Sequence, residues 1–232
     1  MTTTKTKIAL LLFSIFPAIS IIAQSDLESW HEVDLNFDMG SKTDLYWTHE
    51  IRLDNNSSEI KKYQSEAGID YRLVKRVTVS AGYRYARFYD NGYYHNEHRG
   101  IALCKYAPRF QRFVLELQTR TEYIARAADG YIYKEELVWR NKATLNYKWP
   151  TQPITLFASY EHFSLLTPQA TVDKFRVLTG GKFQFNKKLA ITAFWGIQEP
   201  FGQKMNVTYI VGWKAVYNLY KASKRKSKSD NE

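Results

Sequence analysis

The sequence predicts an all-β chain, an antiparallel up-and-down transmembrane β-barrel of about ten strands, with ten to twelve as the range. Three observations predict it. First, stretch after stretch alternates apolar with polar residues, the period of two that gives a sheet one greasy and one wet face. Second, most stretches last about ten residues or more, the length a tilted membrane strand needs and roughly twice the common strand in a soluble sheet. Third, the connections alternate short and long, as turns on a periplasmic rim and loops outside the cell would.

Taken in chain order, the first 23 residues read as a cleaved signal peptide. Lys5 and Lys7 give a basic start, Ile8 to Ile22 an apolar run interrupted by Pro17, and Ala23 a cleavage point before Gln24. The run is too short and too broken for a membrane anchor. No Cys follows it, which argues against a lipid-anchored protein.

The barrel then occupies residues 24–220. Its opening segment, 30–39, sets Val33, Leu35, Phe37 and Met39 against Asp34, Asn36 and Asp38, and is either a lead-in or a first strand. A parity difficulty attaches to it. If the last strand ends in the periplasm, this segment has to begin outside, whereas bacterial barrels usually have even strand numbers. Ten strands are preferred and twelve conceded.

Next, Leu45, Trp47, Ile51 and Leu53 oppose Tyr46, Thr48, Glu50 and Arg52. Tyr63, Ala67, Ile69, Tyr71 and Leu73 oppose Gln64, Glu66, Gly68, Asp70 and Arg72, and a tight hairpin at Val74, Lys75 and Arg76 leads into Val77, Val79, Ala81, Tyr83 and Tyr85 against Thr78, Ser80, Gly82 and Arg84. Further strands fall at 98–106, 110–124, 135–148, 154–163, 174–185, 189–198 and 205–219. Short connections are expected at 40–43, 74–76, 107–109, 149–153 and 186–188, with Gly40, Pro108, Pro150 and Pro153 as turn residues. Longer ones are expected at 54–62, 89–97, 125–134, 164–173 and 199–204. The final strand carries Val207, Tyr209, Val211, Trp213, Ala215, Tyr217 and Leu219 on its apolar side, an aromatic-rich end of the kind outer-membrane assembly machinery accepts. Residues 221–232 form a basic, disordered tail with Lys221, Lys224, Arg225, Lys226 and Lys228.

The wet face defines the candidate site. Glu50, Arg52, Glu66, Asp70, Arg72, Arg84, Glu116, Arg120, Glu122, Glu136, Arg140, Glu161 and Arg176 should point inward, with Lys142 and Lys182 beside them. The two signs nearly cancel, and guanidinium forks match carboxylates, so a narrow lumen can fill itself with ion pairs. Both a plugged structural lumen and a small conducting or ligand-holding channel fit this pattern. Aromatics near the strand ends, Tyr83, Tyr85, Tyr93 and Tyr94 on the outer side and Trp149, Trp213 and Tyr217 on the periplasmic side, read as interfacial girdles against outer-membrane lipids.

Other function classes find less support. A formal net charge of +10 could suggest nucleic acid, but 17 Tyr, 13 Phe and 6 Trp in strand-like runs argue against a nucleic-acid module. His95, Asn96, Glu97 and His98, with Asp90 and His162, are the candidates for a rim hydrolase of lipase or protease type, yet no Ser stands in catalytic relation to them. His95 and His98 lack a third metal ligand, so no metal and no cofactor are expected. Cys104 is alone and by strict alternation lies on the wet face, and a soluble periplasmic β-sandwich remains the bland alternative.

The segments Glu50-Ile51-Arg52-Leu53-Asp54, Glu66-Ala67-Gly68-Ile69-Asp70-Tyr71, Ser80-Ala81-Gly82-Tyr83-Arg84-Tyr85 and Glu97-His98-Arg99 resemble a Bacteroidetes-type family catalogued as domain of unknown function 2490. The resemblance implies an outer-membrane β-barrel over most of the mature chain. It brings no substrate, solute or catalytic residue with it.

Overall fold

The computed structural model describes residues 26–90, 93–128, 131–166, 171–201 and 207–219. The leader expected at 1–23 and the basic tail at 221–232 lie outside the described residues. The strands in chain order are β1 (Leu27–Asp38), β2 (Thr43–Asp54), β3 (Glu59–Val74), β4 (Val77–Asp90), β5 (Tyr93–Tyr106), β6 (Arg109–Phe110), β7 (Phe113–Ala128), β8 (Tyr131–Lys148), β9 (Ile154–Leu165), β10 (Thr171–Gln184), β11 (Leu189–Pro200) and β12 (Thr208–Asn218). β6 is a two-residue rung in the turn before β7. The other eleven strands form the wall.

The wall is closed. Neighbouring strands pair antiparallel around the ring, with β5 meeting β7, and the ring shuts where β1 lies parallel to β12. Ten register pairs run from Leu27↔Tyr209 to Asn36↔Asn218. This resolves the parity difficulty by a route that strand alternation does not suggest. The segment at 30–39 is a full wall strand, and an odd ring closes because its first and last strands point the same way. A parallel pair satisfies backbone groups as completely as an antiparallel one, although slightly less stably per residue.

The expected long connections are largely strand. β4 and β5 continue to Asp90 and Tyr93, and β7 and β8 to Ala128 and Tyr131, so hairpins replace the loops expected at 89–97 and 125–134. Cross-strand aromatic contacts stiffen the first of these hairpins, with the rings of Tyr89 and Tyr94 5.1 Å apart. At the opposite end the turns are short as expected. Lys75 and Arg76 join β3 to β4, with Arg76 at φ 74°.

Side chains alternate between lumen and exterior, and the exterior is greasy. Trp139 is 42% exposed on the outside while Arg120 is 8% exposed within. Arg87, Glu135, Asp173 and Glu199 are the charged residues on outward-facing strand positions among the described residues, and all four lie near the hairpin end of the wall. Below them, down to the turns, every outward position of the described strands is uncharged. At ~2.5 Å of height per residue for a tilted strand, nine to ten uncharged positions make a band of about 25 Å.

Inside, glycines let large rings lie flat. Tyr46 of β2 reaches over Gly68 of β3 and Gly82 of β4, where a Cβ on either glycine would stand 2.5 Å from the Tyr46 hydroxyl. The hydroxyl donates to Glu66 Oε1 at 2.9 Å. The ring thereby covers backbone that no side chain could share.

Two positions fall elsewhere than expected. Cys104 is exposed on the outer face, opposite Val79. The expectation followed the wrong phase of β5, whose inward set is Glu97, Arg99, Ile101, Leu103 and Lys105. Trp213 stands five residues before the end of β12, halfway up the wall and paired with Ala193 and His31, so it is not at the turn rim.

Candidate functional site: the ion-paired lumen

The centre of the lumen is Glu122 of β7, whose side chain is 0% exposed. Three guanidiniums converge on it: Arg99 at 2.5 Å, Arg120 at 2.6 Å and Arg140 at 2.6 Å. A carboxylate taken out of water is tolerated only when charge and hydrogen bonds replace the solvent, and three forks do so here. Alternation supplies them, since β5, β7 and β8 are neighbours and each offers one inward Arg at this height.

From Glu122 the pairs spread both ways. Arg120 bonds Glu66 at 2.9 Å, and Glu66 also holds Arg84. Arg140 bonds Glu161 at 2.7 Å, Glu161 meets Arg176 at 3.4 Å, and Arg176 takes Gln198 Oε1 at 2.8 Å. Toward the hairpin end, Arg99 shares Glu97 with Lys62 and Arg126, and Arg126 reaches Glu136 at 2.7 Å.

Two aromatic residues join the belt across the remaining arc. Trp30 of β1 has the Arg52 guanidinium 3.8 Å and the Arg176 guanidinium 4.5 Å from its ring centroid. Its indole nitrogen donates to Glu28 at 2.8 Å. Phe163 of β9 takes Arg140 at 4.7 Å and Arg176 at 5.0 Å. Glu50 holds Arg52 and accepts from Gln64 at 2.9 Å. The belt therefore reaches from β1 through β11, with Arg–ring stacking added to the ion pairs of Arg52, Arg140 and Arg176.

Of the thirteen lumen positions read from the sequence, Glu66, Arg84, Arg120, Glu122, Glu136, Arg140, Glu161 and Arg176 join one connected network, and Glu50 with Arg52 meets it through Trp30. Three stand apart. Asp70 and Glu116 lie nearer the turns and form no ion pair among the described residues. Arg72 sits at the turn rim, 4.0 Å from Asp44 and donating to the Ser41 carbonyl.

Sequence reading missed Glu28, Trp30, Lys62, Glu97, Arg99, Arg126, Phe163 and Lys214. Lys214 bridges Glu32 at 2.7 Å and Asp34 at 2.5 Å across the parallel seam. Glu97 and Arg99 were legible only with the correct phase of β5. Inward Trp30 and Phe163 give no signal in a reading that sends aromatics outward.

The rim candidates do not converge. Glu97 points into the lumen, whereas His98 points out, with its Nδ1 2.5 Å from the Tyr83 hydroxyl. His162 is also outside, beside Asn141 at 3.2 Å, and His95 stacks on Phe88. Among the described residues no group of three or more His, Cys, Asp or Glu could hold a metal ion, and no helix is long and apolar enough to cross a membrane.

With this geometry in view, the comparisons with known proteins speak to family. A model described as "Protein of unknown function (DUF2490)" matches residues 27–205, from the first residue of β1 to just before β12. The chain belongs to the DUF2490 family. Family membership agrees with the resemblance read from the motifs and assigns no chemistry. No curated protein matches. Among solved structures, the translocator domain of autotransporter NalP from Neisseria meningitidis is similar over 70% of each chain, with 14% identity and a TM-score of 0.45.

Proposed function

We propose that this DUF2490 chain is an outer-membrane β-barrel whose lumen is closed by its own ion pairs, a structural element of the membrane rather than an open pore. One observation carries the membrane reading. The wall has an uncharged exterior about 25 Å tall beneath a collar of Arg87, Glu135, Asp173 and Glu199, and a charged interior. A soluble protein would bury Trp139, Trp195 and Trp213, which are 42%, 53% and 42% exposed. Lipid tails are a solvent in which such surface is at rest, and a closed ring leaves no backbone group unpaired in them.

The exposed rings fit two interfacial girdles. Tyr83, Tyr85, Tyr123 and Trp139 lie toward the collar; Phe37, Tyr71, Tyr147 and Tyr217 lie toward the turns. The charge-bearing end then faces outward from the cell and the short turns face the periplasm. Tyr93 and Tyr94 stand above the band on their hairpin, and Trp149 lies just beyond the strands in a turn.

Closure of the lumen rests on Arg120 reaching Glu66 three strands away and on Arg176 reaching Trp30 three strands away in the other direction. A hydrated ion on the barrel axis would have to part these contacts. Purified protein in a planar bilayer should therefore carry no steady current, and discrete current steps from the unmodified chain would refute closure. Location is tested by fractionation with gel migration before and after boiling. A form that stays compact until heated, in the outer-membrane fraction, is expected; release by osmotic shock without detergent would exclude a membrane role.

A further inference from the structure

The two ends of the wall differ in charge. The outward collar at the hairpin end sets one cation, Arg87, against Glu135, Asp173 and Glu199. At the other end the five turns, 39–42, 75–76, 107–112, 149–153 and 185–188, hold seven Lys and Arg residues and no Asp or Glu. Each of these turns also carries, within it or beside it, a large apolar side chain left exposed: Met39, Val74, Phe110, Trp149 and Phe185. Cations next to exposed apolar groups suit the boundary between headgroups and acyl chains, where each finds its own solvent.

Two of the turns are joined into a groove. The Arg72 amide donates to the Lys42 carbonyl at 2.7 Å and its guanidinium to the Ser41 carbonyl at 3.1 Å, so the β1–β2 turn is tied to the strand end that enters the β3–β4 turn. Here lies an open pocket of about 460 Å³ lined by Ser41, Lys42, Arg72, Leu73, Val74 and Lys75. Three cations line it and no carboxylate does. Among the described residues Lys42 and Lys75 form no ion pair, while Arg72 is 4.0 Å from Asp44, and Asp38 accepts from the Gly40 amide at 3.0 Å. The rest of the lining is greasy: Leu73 and Val74 are 52% and 58% exposed, and the outward column of β3 continues from Leu73 through Tyr71 to Ile69, which is paired with Leu45. The pocket thus joins a basic rim to the apolar exterior of the wall.

We propose that this groove binds an anionic phospholipid of the periplasmic leaflet, its phosphodiester among Lys42, Arg72 and Lys75 and its acyl chains along Leu73, Tyr71 and Ile69. A phosphodiester accepts charge-assisted hydrogen bonds from Lys and Arg. A zwitterionic lipid brings an ammonium that the basic rim repels, so the groove favours a headgroup without one. An acidic protein or cell-wall polymer answers the cations but leaves Leu73 and Val74 unmatched. The pocket would hold roughly fifteen waters at their liquid volume, room for a headgroup of about ten non-hydrogen atoms. The proposal rests on the membrane reading, which sets the turns at the periplasmic leaflet.

The test titrates the purified protein in neutral maltoside micelles with dioctanoylphosphatidylglycerol and reads bound lipid by native mass spectrometry. Three controls accompany it: dioctanoylphosphatidylcholine, with the same chains and phosphodiester but no net charge; glycerophosphoglycerol, the headgroup without chains; and decaglutamate. Phosphatidylglycerol should bind about tenfold tighter than any control. Lys42→Gln with Lys75→Gln should weaken it about tenfold, whereas Lys187→Gln with Lys188→Gln, in another turn of the rim, should change it by less than about twofold. Each variant must keep heat-sensitive gel migration; should the first pair fail to fold, Lys75→Gln alone takes its place, with a loss of about threefold expected. Equal binding of the two lipids, equal or tighter binding of glycerophosphoglycerol or decaglutamate, or the same loss in both paired variants would overturn the groove. Failure of the membrane reading would instead register as release by osmotic shock without detergent, so the two outcomes are distinguishable.

Discussion

Arg120 of β7 crosses the lumen to Glu66 of β3 with N–H···O at 2.9 Å, although 54 residues and two intervening wall strands separate them. The same guanidinium meets Glu122 at 2.6 Å on its own strand. One side chain thus ties two walls to the central carboxylate, and the barrel's resistance to both unfolding and ion flow passes through it.

Replacing Glu122 by Ala leaves Arg99, Arg120 and Arg140 facing one another without their shared counter-charge. Removing one member of a buried pair costs about 3 to 5 kcal/mol. Urea unfolding in micelles should show a loss of that size, whereas Glu135→Ala, on the exposed collar, should change stability by less than about 1 kcal/mol.

Current should appear when the belt is cut on both sides. Arg120→Ser with Arg140→Ser removes the links to Glu66 and Glu161 and two of the three forks on Glu122. Single-channel recording of this double variant should show openings that the parent lacks; continued silence would mean that other groups, Trp30 and Phe163 first, close the lumen.

The uncharged exterior makes a depth-dependent prediction. Ala102 faces out four residues above the turn end of β5, and Ala127 faces out one residue from the hairpin end of β7. Ala102→Arg should cost about 2 to 4 kcal/mol on folding into lipid vesicles and Ala127→Arg about 0 to 1. Equal costs would contradict the assigned band.

Gly82 and Tyr46 should be coupled. A Cβ at Gly82 meets the Tyr46 hydroxyl at 2.5 Å, and the next atom, the Ala67 carbonyl, at 3.1 Å. Overpacking of this kind costs about 1 to 3 kcal/mol. Tyr46→Phe removes the colliding oxygen, so in a double-mutant cycle Gly82→Ala should be less damaging when combined with Tyr46→Phe than in the parent.

Odd strand number puts the two ends of the wall on opposite faces, β1 beginning at the hairpin end and β12 finishing at the turn end. An epitope placed directly before Leu27 should be reached by antibody on intact cells, while one placed after Leu219 should require permeabilisation. Both tags on the same side would contradict the parallel seam.

Alternation along single strands made the barrel legible, and with it the inward set on β3, β7 and β8, because a period of two assigns every residue once one is placed. It failed where phase had to be guessed. On β5, Cys104 and Glu97 exchange faces when the phase is set one residue off, and the stretch before His98 reads as loop because its Tyr-rich hairpin looks like surface. Pairing partners are beyond such a reading altogether. Nothing in residues 27–38 distinguishes a strand that will lie parallel to β12 from one that will not, since both directions satisfy the same backbone groups. Inward aromatics are hidden for a related reason: Trp30 and Phe163 are stabilised by arginines from β2, β8 and β10, and those neighbours exist only after closure.

The seam between β1 and β12 also dictates when this protein can become itself. Every other joint in the ring links wall strands that follow one another in the chain, whereas Leu27 and Tyr209 lie 182 positions apart. Hairpins can zip in order as the chain emerges, but the ring cannot shut until the last strand has been made, and until then β1 offers a bare edge. A chain cut short before Thr208 would keep that edge for good, and aggregate or be degraded rather than persist as a smaller barrel.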